Sequence, residues 1–177
     1  MMRLFIGLAP DGAARDSLWN LASGLHCGGQ RLPKENYHLT LAFLGMREET
    51  HAARMEPVLA QAAQSCTPLP LTVKGAGYFG NPHNALLYAK LEPSNSLDHL
   101  SDTLRDLLTA AGETFDEKPF VPHITLARKA DISGIELQKP IRPFSFTVDR
   151  LTLYHSTRVE GALRYLPILE ADFSAEG

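Results

Sequence analysis

Two short segments, far apart in the chain, carry the same pattern of chemically active side chains. Residues 38–43 read His-Leu-Thr-Leu-Ala-Phe, and residues 123–128 read His-Ile-Thr-Leu-Ala-Arg. The two segments agree at the histidine, the threonine, the following leucine and the alanine. A single His-x-Thr is common in strands and indicates little, but its recurrence in matching context indicates a duplicated functional unit.

Both segments are typical of strands whose apolar residues anchor them in a core. Because side chains i and i+2 of a strand point to the same face, His38 and Thr40 share one face. His123 and Thr125 share a face of the second strand in the same way. If the two strands pack about a pseudo-twofold axis, two imidazoles and two hydroxyls face one another across a cleft.

This set of groups is suited to opening a phosphodiester. One imidazole can accept a proton from the attacking water, and the other, protonated, can donate one to the departing ribose oxygen. The ordinary pKa of histidine, about 6.5, allows both roles near neutral pH. The threonine hydroxyls can donate hydrogen bonds to the non-bridging oxygens, where negative charge accumulates. A strained 2′,3′-cyclic phosphate needs no metal on this logic.

Other residues in and near the segments are candidates for holding a nucleotide. Arg128 could bind the phosphate. Strict alternation nevertheless places it on the face opposite His123, so it reaches the cleft only if the strand twists or bulges. Phe43 and Phe120 are candidates for stacking on a base. The basic residues that flank the segments, and so could form a local phosphate-binding patch, are Arg31, Lys34, Lys118, Arg128 and Lys129.

Hydrophobic periodicity predicts the elements that carry these segments. Each segment closes a strand–helix–strand unit. The first unit has strands at residues 3–8 and 37–44, the latter stopped by Gly45, and a helix capped by Asp11. The second has strands at residues 85–92 and 121–126 and a helix capped by Ser94 or Ser96. A further helical stretch at residues 49–64 kinks or begins at Pro57. The other predicted strands are residues 71–79, 144–154 and 163–169, which makes about seven strands and three helices.

Composition sets limits on the class of protein. A chain of 177 residues with 44% hydrophobic content can form one domain without disulfides or metals. Its net charge of −3 argues against non-specific coating of nucleic acid. Cys27 and Cys66 occur in no metal-ligand spacing, and neither segment carries a His-x-His, HExxH or carboxylate cluster. We therefore expect no metal or cofactor, no membrane segment, no obligate protein partner, and a cytoplasmic monomer.

With their flanks, the two segments resemble a known family. Residues 36–45 (Asn-Tyr-His-Leu-Thr-Leu-Ala-Phe-Leu-Gly) and 119–128 (Pro-Phe-Val-Pro-His-Ile-Thr-Leu-Ala-Arg) are similar to the paired motifs of bacterial and archaeal RNA 2′,3′-cyclic phosphodiesterases. These proteins are also called 2′-5′ RNA ligases and belong to the 2H phosphoesterase superfamily. Residues 3–8 and 151–154 add to the resemblance, which spans nearly the whole chain, residues 1–177.

The resemblance implies an α+β fold, bilobal and built from pseudo-twofold duplicated β-α-β units. Antiparallel sheets would line a central groove, with helices outside. It also implies hydrolysis of an RNA-terminal 2′,3′-cyclic phosphate to a 2′-phosphomonoester, with possible 2′-5′ ligation in reverse. In this reading His38 is the proton donor and His123 the proton acceptor. Thr40, Thr125 and Arg128 bind the phosphate.

Two alternative functions are open at this point. The first is the same chemistry on a small cyclic nucleotide or a 2′-5′ oligonucleotide, which would need the same histidines and differ only in the walls of the groove. The second is of another class, a non-catalytic module that binds RNA ends. It predicts that the wild-type protein hydrolyses nothing and that replacing either histidine leaves RNA affinity largely intact.

Overall fold

The computed structural model describes residues 1–175, which form nine strands and three α-helices. Two short 3₁₀ helices, Lys34–Asn36 and Glu49–Met55, lie among them. In chain order the elements are β1 (Met2–Leu8), α1 (Gly12–Leu25), β2 (Gln30–Arg31), β3 (Leu39–Arg47), α2 (Glu56–Gln64), β4 (Leu69–Asn81), β5 (Asn84–Leu91), α3 (Asn95–Ala110), β6 (His123–Ala130), β7 (Phe144–Val148), β8 (Arg150–Val159) and β9 (Ala162–Asp172).

The strands form two antiparallel sheets with matching order. One sheet runs β3-β1-β8-β9, and the other runs β2-β6-β5-β4-β7. In the first sheet β3, which directly follows His38, pairs with β1, the first strand of its unit. In the second sheet β6, which begins at His123, pairs with β5, the first strand of its unit. The predicted α+β class and the duplicated β-α-β units are therefore confirmed.

Each unit also reaches across to the strand of the other. The segment before the first histidine forms β2, which pairs with β6 and continues with a hydrogen bond from Leu32 N to Leu126 O (2.9 Å). The segment before the second histidine donates from Asp116 N to Phe43 O (2.9 Å). These reciprocal bonds hold the two repeated segments against each other.

The helices begin where side-chain capping predicts. Asp11 Oδ1 accepts from Ala14 N (2.8 Å) at the start of α1, and Ser94 Oγ accepts from Leu97 N (3.1 Å) at the start of α3. Pro57 lies in the first turn of α2, so that helix begins there and does not kink. None of the helices within residues 1–175 has the length and apolar character needed to cross a bilayer.

Three features of the predicted strands were wrong. The single strand expected at residues 144–154 is interrupted at Asp149, because β7 pairs with β4 in one sheet whereas β8 pairs with β1 in the other. Gly45 does not stop β3. The pairing of β3 with β1 skips Leu44, which forms a bulge. Gly45 follows this bulge with φ +79, a backbone conformation that glycine adopts readily, and the strand continues beyond it. The two-residue strand β2 carries too little pattern to be recognised. Together with the division at Asp149, it brings the strands of residues 1–175 to nine, where about seven were expected.

Candidate active site

The seven residues predicted from the sequence for catalysis, phosphate binding and base stacking line one groove. It has a volume of about 930 Å³ and lies where β3 and β6 face each other. The sequence-predicted residues that line it are His38, Thr40, Phe43, Phe120, His123, Thr125 and Arg128. The apolar residues beside the threonines, such as Leu39 and Ile124, are buried in the core as the alternating pattern requires.

The two histidine rings are held in the same way. His38 Nδ1 lies 2.8 Å from the carbonyl oxygen of Asn36, and His123 Nδ1 lies 2.6 Å from that of Val121. A carbonyl oxygen can only accept, so Nδ1 carries a proton and donates it in both rings. Each neutral ring therefore has its lone pair on Nε2, and each protonated ring has its transferable proton there. One atom of each ring is thus left for proton transfer.

Aromatic side chains from distant strands surround both imidazoles. The His38 ring lies 4.7 Å from the ring of Phe5 and 4.7 Å, edge-on, from that of Tyr165. The His123 ring lies 5.1 Å from Phe79 and 5.5 Å from Tyr88, edge-on to both. Sequence reasoning did not identify these four roles, because β1, β9, β4 and β5 carry no motif that marks an aromatic residue as part of a site.

Burial among these aromatic side chains changes the basicity of both histidines. It lowers the pKa of His38 from 6.5 to about 4, with smaller contributions from the positive charges of His123, Arg128 and Arg15. Burial also lowers the pKa of His123, and the nearby Arg128 guanidinium acts in the same direction. Without bound substrate, both rings are therefore predominantly neutral at pH 7.

A duplicated bulge brings Arg128 into the groove. The pairing of β3 with β1 skips Leu41, and the pairing of β6 with β5 skips Leu126, the equivalent residue. One extra residue reverses the alternation of side chains beyond it. Arg128 consequently lies on the same side as His123, and Phe43, its counterpart in the other segment, lies on the groove side of β3. The bulge that Arg128 requires is present in both halves.

The groove is strongly basic. Five cationic side chains and one acidic side chain among the described residues line it: Arg3, Arg105, Lys118, Arg128, Arg158 and Asp116. Of the flanking basic residues noted in the sequence, Arg31 instead lies 3.7 Å from the Trp19 ring, and Lys34 pairs with Asp16 at 2.7 Å. Arg3, Arg105 and Arg158 come from segments remote from the motifs, which is why the sequence did not reveal them.

The support behind His123 predicts a large effect for one small substitution. A Cβ added at Gly77 would lie 2.7 Å from the Tyr88 ring, which contacts the His123 ring, whereas one added at Gly75 on the same strand would meet nothing within 4 Å. We expect Gly77→Ala to displace Tyr88 and His123 and to lower kcat about ten- to hundredfold. Gly75→Ala should keep normal turnover, and equal activity of the two variants would contradict this role for Tyr88.

Comparison with known proteins identifies the family of this chain. The family model of the 2′-5′ RNA ligase superfamily matches residues 13–160. The chain belongs to this superfamily. It is 31% identical over 153 residues to the RNA 2′,3′-cyclic phosphodiesterase of Thermotoga maritima, covering 82% of this chain and 80% of the relative. It is 30% identical over 169 residues to that of Escherichia coli K12, covering 94% and 93%.

The fold of this superfamily member agrees with that of a crystallised relative. The crystal structure of Escherichia coli LigT complexed with 3′-AMP superposes with a TM-score of 0.83 at 26% identity, covering 98% of each chain. The resemblance inferred from the two segments, and the fold that it implies, are both confirmed.

Proposed function

We propose that this chain is an RNA 2′,3′-cyclic phosphodiesterase that produces a 2′-phosphomonoester by general acid–base catalysis. The observation that carries the proposal is the matched pair of histidines: each donates from Nδ1 to a backbone carbonyl and leaves Nε2 for proton transfer in one basic groove. The names of the curated relatives support the same activity.

In the proposed reaction the two imidazoles act on opposite sides of phosphorus. His123 Nε2 accepts a proton from water as the water oxygen bonds to phosphorus. The bond from phosphorus to the ribose 3′ oxygen breaks, and His38 donates its Nε2 proton to that oxygen. The 2′ ester bond remains. Afterwards His123 loses its proton to solvent and His38 gains one, which restores the starting state.

Thr40, Thr125 and Arg128 hold the phosphate in this proposal. Hydroxyl and guanidinium donors directed at the non-bridging oxygens stabilise the charge that develops during attack. Thr125 is buried, with 8% of its surface exposed, so its hydroxyl has little access to competing water. Phe43 and Phe120 provide apolar surface for the base or ribose.

The low pKa of His38 fits the role of proton donor only when phosphate is bound. In the protein without substrate, burial and neighbouring cations disfavour its protonated form. A phosphodiester anion beside the ring favours that form and raises its pKa. The substrate therefore brings about the protonation that it needs, so we expect proton uptake on binding.

We further propose that both sheets act as one catalytic domain, residues 1–177, and that the chain works as a cytoplasmic monomer on RNA ends. Both sheets contribute a histidine to the groove, which supports a single functional unit. With an RNA 5′-hydroxyl in place of water, the same two histidines would join that hydroxyl to the phosphorus as the bond to the 3′ oxygen breaks, which forms a 2′-5′ bond.

Product analysis tests the proposed function. Purified protein is incubated in excess chelator with an RNA ending in 2′,3′-cyclic phosphate, and separately with adenosine 2′,3′-cyclic phosphate. We expect a 2′-phosphate product from the RNA. A 3′-phosphate product would refute the proton-transfer assignment. Absence of hydrolysis with retained RNA affinity would favour a non-catalytic RNA-end binding module, and preference for the nucleoside would favour a small cyclic nucleotide.

Arg128 should contribute through its charge. We expect Arg128→Gln to lower kcat/KM about ten- to hundredfold, because it removes a charge-assisted hydrogen bond to phosphate. Lys129→Gln is the matched control: Lys129 is the next residue, it is exposed, and it does not line the groove. The phosphate-binding assignment would be wrong if the two variants had equal activity.

A further inference from the structure

One wall of the groove carries cationic and hydroxyl groups that the proposed reaction does not use. Arg3, Ser156 and Tyr165 are cross-strand partners on β1, β8 and β9 and form one row across that sheet. Arg158, two residues beyond Ser156, begins the next row with its partner Leu163. All five side chains line the groove. We call Arg3, Ser156 and Arg158 the β8 wall.

The β8 wall is linked by hydrogen bonds through Asn36 to His38. The Asn36 side chain donates from Nδ2 to the carbonyl oxygen of Leu163 (3.0 Å), and the Asn36 carbonyl oxygen accepts from His38 Nδ1. Asn36 is buried, with 3% of its surface exposed. Since Leu163 pairs with Arg158, the histidine and the arginine are anchored to the same hairpin. The β8 wall therefore has a defined position relative to His38.

The cations of the wall are free to meet a ligand. Within residues 1–175, neither Arg3 nor Arg158 forms a salt bridge, whereas Arg150 on the same hairpin is within 4 Å of three carboxylates. Arg158 Nη1 donates to Gly161 O (3.0 Å) in the turn, which orients its guanidinium and leaves its other donors available. Unpaired arginines beside hydroxyl groups are suited to a phosphate.

The direction of the reaction decides which phosphate this is. In the proposed mechanism the bond that breaks leads to the terminal ribose, and His38 protonates that ribose oxygen. The terminal nucleoside must therefore lie on the His38 side, and the water on the His123 side. β3, which follows His38, belongs to the sheet that carries Arg3 and Arg158, so this sheet is the wall on the nucleoside side of the site.

The spacing of the wall suits such a chain. Side chains i and i+2 of a strand are about 7 Å apart along the strand, which is comparable to the separation of successive phosphates in extended RNA. Arg3 lies two residues from Phe5, whose ring contacts His38, and Arg158 lies one row further out. The row of Arg3, Ser156 and Tyr165 thus offers one cation, and the row of Arg158 and Leu163 offers another.

We propose that the β8 wall is a subsite for the phosphate on the 5′ side of the terminal nucleotide, so that the enzyme recognises an RNA strand and not only its cyclic end. This inference rests on the proposed function, which assigns His38 to the leaving ribose oxygen. It names the part of the substrate that distinguishes RNA from a small cyclic nucleotide.

The test isolates the added phosphate. Adenosine 2′,3′-cyclic phosphate is compared with the same compound carrying a 5′-phosphate and with the dinucleotide ApA ending in 2′,3′-cyclic phosphate. We expect both extended compounds to have a kcat/KM at least about fivefold higher at low salt. Arg158→Gln and Arg3→Gln should each reduce that ratio at least threefold and lower the salt slope of affinity by about 0.7. Arg150→Gln, on the same hairpin but not lining the groove, should leave the ratio unchanged.

Affinities for the three compounds, measured on His123→Ala protein, separate this inference from the proposed function. If wild-type protein hydrolyses none of the compounds, but the 5′-phosphate still strengthens binding to His123→Ala protein through Arg158, the reaction is wrong and the subsite is right. If wild-type protein hydrolyses all three equally well, the subsite is wrong and the reaction stands. A 5′-phosphate gain that survives in both Arg3→Gln and Arg158→Gln would also overturn the subsite.

Discussion

Replacing either groove histidine with alanine should lower turnover of an RNA 2′,3′-cyclic phosphate by about two to four orders of magnitude, the usual contribution of a positioned acid or base. Each ring uses Nδ1 to bind a backbone carbonyl, so no other atom of His38 or His123 can supply the proton transfer that Nε2 provides. The double variant should be little slower than the single ones, because the two groups act in one step.

The matched control for these variants is His99→Ala. His99 is exposed on α3 and does not line the groove, so its loss should leave the rate unchanged. Thermal unfolding midpoints and circular dichroism of all variants establish that the fold is retained. Wild-type turnover in both His38→Ala and His123→Ala would exclude the two-histidine mechanism.

The groups proposed as catalytic could be predicted to share one groove because their pattern is local and occurs twice. His-x-Thr fixes which side chains share a strand face, and duplication makes coincidence improbable for His38, Thr40, His123 and Thr125. The helix starts at Asp11 and Ser94 were predictable for a similar reason, since capping depends on residues only three positions apart.

Features that depend on partner strands could not be predicted. The bulges at Leu41 and Leu126 exist only relative to β1 and β5, so no property of the segments themselves shows that Arg128 reaches the groove. The break at Asp149 separates strands that the sequence presents as one apolar run. Likewise, Arg158 and Tyr165 join the site through the pairing of a late hairpin. The register between strands, which is set by tertiary pairing, decides which of these side chains reach the groove, and the local sequence pattern does not contain it.

The burial of His38 and His123, which the sequence does not show, predicts a large dependence of activity on pH. The proposed mechanism needs His38 protonated and His123 neutral. In the free protein both pKa values lie below 6.5, that of His38 at about 4. Above 6.5 the fraction of enzyme with a protonated His38 falls tenfold for each pH unit. We expect kcat/KM to decrease accordingly, by about two orders of magnitude between pH 7 and pH 9.

The dependence of kcat should differ, because kcat reports the enzyme–substrate complex. A bound phosphodiester anion raises the pKa of His38, so the alkaline limb of kcat should lie at higher pH than that of kcat/KM. Substrate binding measured by calorimetry in buffers of different ionisation enthalpy should show proton uptake near pH 7. Arg128→Gln removes a charge that lowers both pKa values, and should shift the kcat/KM limb toward alkaline pH, whereas Lys129→Gln should not. If the pH profiles of kcat and kcat/KM had the same alkaline limb and binding took up no proton, His38 would already be protonated in the free enzyme. The charge of the substrate would then play no part in protonating it.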